Sequence, residues 1–171
     1  ANIFKTGAFG GALGYSKSSS GVGMTGGYIG IGFDEYGNYA STAESKNGGA
    51  GSALYKNYVS IRGIAPDYKY LFGKEYKGGI AYAKSSSNRP SDANFYRRVK
   101  IEITPENGSY RIKTFLKNNV TGNFVEHFST VSAEKPYKTL KVGFAGSTGG
   151  STNYHEIRNV TVKTPGGISV K

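Results

Sequence analysis

Val99-Lys100-Ile101-Glu102-Ile103, then Pro105-Glu106-Asn107-Gly108, then Tyr110-Arg111-Ile112-Lys113-Thr114-Phe115-Leu116: these three runs decide the fold class. Apolar and charged side chains alternate in the first and third, the period of a strand with one packed face and one wet face. Asn-Gly between them readily supplies the positive-φ residues of a tight reversal. A third strand, Phe124-Val125-Glu126-His127-Phe128-Ser129-Thr130-Val131, extends the hairpin to a meander.

Working outward, short β-type runs recur between Gly, Asn, Ser and Pro. They are Tyr28–Phe33, Tyr58–Ile61, Gly79–Ala83, Tyr96–Thr104, Ser109–Lys117, Asn123–Val131, Thr139–Ala145 and Glu156–Lys163. No long stretch repeats apolar residues at helical spacing. The expectation is an all-β chain of two stacked antiparallel sheets. Residues 1–27 are a Gly/Ser-rich lead-in, and residues 41–53 form one long Gly/Ser loop of the kind that is usually functional or mobile. No internal repeat and no domain linker interrupts the 171 residues, so they read as a single domain.

Composition narrows the chemistry. With no Cys, the chain has no disulfide, no thiolate nucleophile and no Cys-ligated zinc or iron–sulfur site. Glycine at 26 residues is not spaced every third position, which excludes collagen, and 14 Tyr with 9 Phe give the chain enough apolar surface to collapse. No apolar run approaches the ~18 residues of a membrane span. The chain opens on Ala1 with no signal-like segment, and is expected to be processed or excised from something longer. The 22 Lys and Arg against 11 Asp and Glu give +11. These cations are scattered, clustering only at Arg97, Arg98 and Lys100, and no RNA-binding aromatic signature accompanies them, so nucleic acid is not the expected partner.

Several motifs carry less than they promise. Gly21-Val22-Gly23-Met24-Thr25-Gly26 matches a dinucleotide fingerprint but leads into a strand where that mechanism needs a helix. His155-Glu156-Ile157-Arg158-Asn159 has Asn where a zincin needs its second His. Asp34 and Glu35 are adjacent and point opposite ways on a strand, and Glu102 has no acidic neighbour two residues away, so no glycosidase pair is visible and an enzyme is not expected. Three Asn-x-Ser/Thr triplets, at Asn107, Asn119 and Asn159, read as coincidental.

The informative segment is Gly30-Ile31-Gly32-Phe33-Asp34-Glu35-Tyr36-Gly37-Asn38. It is a buried strand ending in a carboxylate, an aromatic ring and an amide at alternate positions. Asp34, the Tyr36 carbonyl and Asn38 are hard oxygen donors of the type that suits Ca²⁺. A ring beside an amide also suits a sugar, the ring covering C–H faces and the amide bonding hydroxyls.

This strand, taken from Gly27, resembles the metal-and-sugar strand of L-type (legume-like) lectins, particularly the lectin-like domains of bacterial surface proteins. Lys141-Val142-Gly143-Phe144-Ala145-Gly146-Ser147-Thr148-Gly149-Gly150-Ser151-Thr152-Asn153-Tyr154-His155-Glu156-Ile157 resembles the family's closing segment, and Gly10-Gly11-Ala12-Leu13-Gly14-Tyr15 its earlier Gly-rich binding loop. The resemblance implies a concanavalin-like jelly-roll sandwich and a glycan-binding, non-enzymatic module of a secreted or cell-surface protein, acting in adhesion. It implies Asp34, Tyr36 and Asn38 as calcium ligands, Tyr36 also stacking on sugar and Asn38 also bonding it. Gly10 or Gly11 would offer a main-chain N–H, and Ser147, Thr148, Gly149 and Asn153 would tune specificity.

The chain departs from the family in three places. Gly32 and Tyr58 stand where legume members carry the Glu and His of a second metal site. The second calcium-binding Asp has no clear counterpart, Glu44 being the nearest acid, so several positions in a shell of about six to eight oxygens are unfilled. The family's upstream Ala-Asp-Gly segment and its first strands do not occur, so a missing N-terminal segment of the same domain is an expected partner. A structural or protein-interaction sandwich that has lost sugar binding is the alternative.

Overall fold

The computed structural model describes residues 5–80, 97–117, 121–150, 152–164 and 169–170. Among them the chain is all-β, with one 3-10 turn at Gly10–Ala12 and eight strands. The first sheet has the order β1 (Gly30–Asp34), β2 (Tyr58–Arg62), β3 (Tyr70–Glu75), and the second β4 (Arg98–Glu106), β5 (Ser109–Lys117), β6 (Val125–Ser132). All pairings in both are antiparallel. A short ladder joins β7 (Val162–Lys163) to β8 (Ser169–Val170). No helix among the described residues is long and apolar enough to cross a membrane.

The meander forms as its alternation requires. Asn107 and Gly108 adopt φ of 47° and 78°, so the reversal needs only these two residues, and Pro105 and Glu106 belong to β4. On β5 the inward positions Ile112, Thr114 and Leu116 are buried, and the residues between them are half-exposed. Their partners across the ladder, Ile103, Ile101 and Val99, lie on the same face.

The main core lies between the sheets. Val59 and Ile61 of β2 meet Ile112 and Leu116 of β5 and Phe128 of β6, with Ile31 and Phe33 of β1 at the margin. At the seam the Phe72 and Phe128 rings are 5.0 Å apart, and Lys74 Nζ donates to the His127 carbonyl at 3.1 Å. The Glu134 carboxylate accepts the Ile64 N–H at 2.8 Å, and the Glu134 carbonyl accepts the Tyr28 hydroxyl at 2.9 Å, anchoring the exit from β6.

The opposite face of the first sheet is covered by loops rather than solvent. Ser60 and Arg62 alternate with Val59 and Ile61 along β2, and all four are buried. Above them packs a second cluster of Tyr15, Tyr39 and Tyr68. A side chain at Gly30 would overlap the Tyr15 ring and one at Gly32 the Tyr39 ring, so the glycines of β1 make room for this layer.

Three strand boundaries depart from expectation. Tyr70–Glu75 pairs with β2 although its Gly73 and irregular polarity hide the strand period. Thr139–Ala145 pairs with nothing among the described residues, and of Glu156–Lys163 only Val162 and Lys163 form a ladder. Alternation supplies a strand's side chains, but a ladder also needs a neighbour, and here Leu140, Val142 and Phe144 stay half or more exposed. The expected run Gly79–Ala83 lies partly outside the described residues, and its residues 79–80 are not strand.

Candidate functional site

β1 delivers Asp34 to the mouth of the first sheet and buries its side chain there. The main-chain N–H groups of Tyr36 and Tyr39 donate to its two carboxylate oxygens at 3.0 and 2.6 Å, so the chain from 35 to 39 wraps around the acid. Gly37 takes φ of 106°, and a Cβ there would overlap the Tyr55 backbone, whose N–H donates to the Gly37 carbonyl at 3.0 Å. That fixed turn throws the Tyr36 ring outward, 56% exposed. Asn38 follows, half-buried, its carbonyl holding the Ser41 N–H and hydroxyl. Its carboxamide has no hydrogen-bond partner among the described residues.

The Gly10–Ala12 turn closes on this segment. A Cβ at Gly11 would overlap Asn38 Cβ and come within 2.8 Å of Glu44 Oε2. Gly11 and Asn38 are thus in direct contact. Gly10, with φ of 63°, has open space where a Cβ would be. The closing segment arrives at two points: Ala145 beside Gly14, and Asn153, whose Nδ2 donates to Glu35 Oε2 at 3.0 Å. Asn153 also accepts its neighbour's N–H at 2.8 Å, so its amide is engaged within the protein. Thr148 and Gly149 are exposed, whereas Ser147 buries an Oγ that has no partner among the described residues. The Gly10–Ala12 turn thus touches Asn38, and the closing segment touches Gly14 through Ala145 and Glu35 through Asn153. A shallow hollow of about 560 Å³ is lined by other residues, among them Lys17, Val22, Ser45 and Tyr68, and by none of the expected site residues.

The long loop is organised by residues that motif reading did not single out. Arg62 is fully buried, and its Nε and Nη2 both donate to the Tyr39 carbonyl at 3.0 Å. Nη2 also reaches the Ser41 and Gly48 carbonyls at 3.1 and 3.0 Å, and Nη1 the Asn47 and Tyr68 carbonyls at 3.2 Å. The Tyr39 and Tyr70 rings flank the guanidinium at 5.5 and 5.6 Å. Burial lowers the Arg62 pKa, opposed by those two phenols, and burial likewise pushes Tyr70 up to about 12 and Tyr39 well above its ordinary value. Lys46 is the second buried cation, donating to Glu44 Oε2 at 2.6 Å and to the Ala43 carbonyl at 3.2 Å. The available signal was phase: Arg62 stands two residues after Ser60, on the face opposite Val59 and Ile61.

Of the expected calcium ligands, Asp34 accepts one main-chain N–H on each carboxylate oxygen, and the neighbouring acid Glu44 is ion-paired to a buried ammonium. No group of three or more His, Asp or Glu side chains converges among the described residues. Gly32 lies beneath the Tyr39 ring, which leaves no room there for a longer side chain.

Compared with known protein families, with curated proteins and with solved structures, the chain matches none. The site must be read from its own geometry.

Proposed function

We propose that this chain is a lectin-like carbohydrate-binding module of a secreted or cell-surface protein, working in adhesion. One observation carries the proposal: an exposed ring, Tyr36, two residues from an unengaged carboxamide, Asn38, which is seated on the Gly11 turn. A ring face covers the C–H surface of a pyranose, and a carboxamide both donates to and accepts from its hydroxyls. Asn153 is hydrogen-bonded to Glu35, next to Tyr36, and the closing segment would on this reading set which glycan enters. A jelly-roll topology for the whole domain belongs to the same proposal.

A glycan array tests this reading. The chain is expected to bind a restricted set of glycans, and Asn38→Ala and Tyr36→Ala each to weaken binding about tenfold or more, the loss of one or two well-placed contacts. A folded chain that binds nothing on a broad array at high concentration overturns it.

A second reading is favoured by a different surface. Leu140, Val142, Phe144, Tyr154, Ile157 and Val160 are each at least half exposed in the closing segment. Such a stretch suits a structural or protein-interaction sandwich, or docking of a further segment of the same domain. An empty glycan array together with capture of such a segment would favour it.

A further inference from the structure

Five main-chain carbonyls of the long loop, those of Tyr39, Ser41, Ala43, Asn47 and Gly48, converge on two side-chain cations. Gathering loop oxygens around a positive centre is what a bound metal ion does when it orders a loop. Here the positive centres are covalently part of the chain. Arg62 lies at the end of a core strand and presents a rigid fork of donors, each observed bond to a described residue ending on a main-chain carbonyl. Lys46 comes from the loop itself, and its side chain is 0% exposed.

The Lys46 ammonium is already ion-paired to the Glu44 carboxylate, so a divalent cation bound by Glu44 would have to take it away from Lys46.

We infer that Arg62 and Lys46 order the loop from Tyr39 to Gly48 as a bound metal ion would, and that Asn38 is placed without a metal. Arg62 is on this view a positioning residue, acting on the sugar-facing amide through the Tyr39–Gly48 loop. The idea rests on the carbohydrate reading for its meaning but not for its test.

The test uses the full 171-residue chain and no glycan. Melting temperature and amide exchange are compared in EDTA and in calcium chloride at about 10 mM, above the roughly millimolar constants of weak extracellular sites. The expected result is no change: melting within about 1 °C, and unaltered protection at the Tyr39 and Thr42 amides. A calcium-induced rise above about 3 °C, or about tenfold greater protection of those amides, overturns the inference. In EDTA, Arg62→Lys and Lys46→Met are expected to lose about tenfold protection at Tyr39 and Thr42 while Ile112 and Leu116 keep theirs. Protection retained in the loop, or lost equally in β5, also overturns it. Should Arg62→Lys fail to fold, Lys46→Met and the calcium titration decide alone. An empty glycan array with these results intact would sink the lectin reading and leave the internal cations standing.

Discussion

Gly11 does its work by lacking a methyl group. Its backbone lies against Asn38 and the Glu44 carboxylate, so alanine there must push aside either the proposed sugar-facing residue or the loop beside it. Gly11→Ala is expected to destabilise by about 1–3 kcal/mol, the usual range for overpacking, and to weaken glycan binding. Gly10→Ala supplies the control. Nothing lies within 4 Å of its Cβ position, so its cost is conformational, from φ of 63°, and amounts to about 1–2 kcal/mol. Thermal melts and array binding of the two variants separate the effects: equal binding losses would refute the contact. That these glycines stand near Asn38 was legible only through resemblance, since two glycines name no neighbour. Arg62 was illegible for a related reason. Its partners are carbonyls, which every residue carries, so no sequence pattern announces them.

Between strands, the seam of β3 and β6 is held by reciprocal contacts of Lys74 and His127. Lys74 Nζ donates to the His127 carbonyl, and His127 Nε2 lies 3.1 Å from the Lys74 carbonyl, with the Tyr76 ring edge-on at 5.4 Å. Burial lowers the His127 pKa from its ordinary value of 6.5, the Lys74 carbonyl partly opposing and the Lys74 ammonium assisting. In the range between its folded and unfolded values, the unfolded chain therefore holds more protons, and stability rises with pH there. The contribution is full above the ordinary value and is lost as pH drops through it toward the lower folded one. Melting curves from about pH 8 to pH 5 should fall more steeply for the native chain than for His127→Gln, which carries no titrating ring. Parallel curves would remove His127 from the account. The β4–β5–β6 meander was readable because its alternation is local and its turn is Asn-Gly. β3 was not, because Tyr-Leu-Phe-Gly-Lys-Glu shows no clean alternation and becomes a strand only by pairing with β2.

The whole molecule is well packed where its sheets meet and open along its closing segment. All-β character and two antiparallel sheets could be read from composition and period. The pairing of residues 139–145 could not, since a ladder depends on a neighbour that alternation does not specify. Leu140, Val142 and Phe144, at 50%, 63% and 61% exposure, are in phase with one another on the unpaired run. Leu140→Lys with Phe144→Lys is expected to reduce concentration-dependent association and apolar-dye binding while leaving the melting temperature within about 2 °C, because neither residue is buried. A large loss of stability would mean that these side chains already serve the core.

Arg62 sits on the strand whose other side supplies Val59 and Ile61 to the centre of the molecule. Selection acting on the interior therefore has a lever on the rim. A modest repacking beneath β2 would tilt the guanidinium, drag the carbonyls it clasps, and re-aim Asn38 without altering one residue that a ligand could touch. A laboratory search for new glycan preferences should accordingly mutate the hidden side of that strand as well as the visible loops.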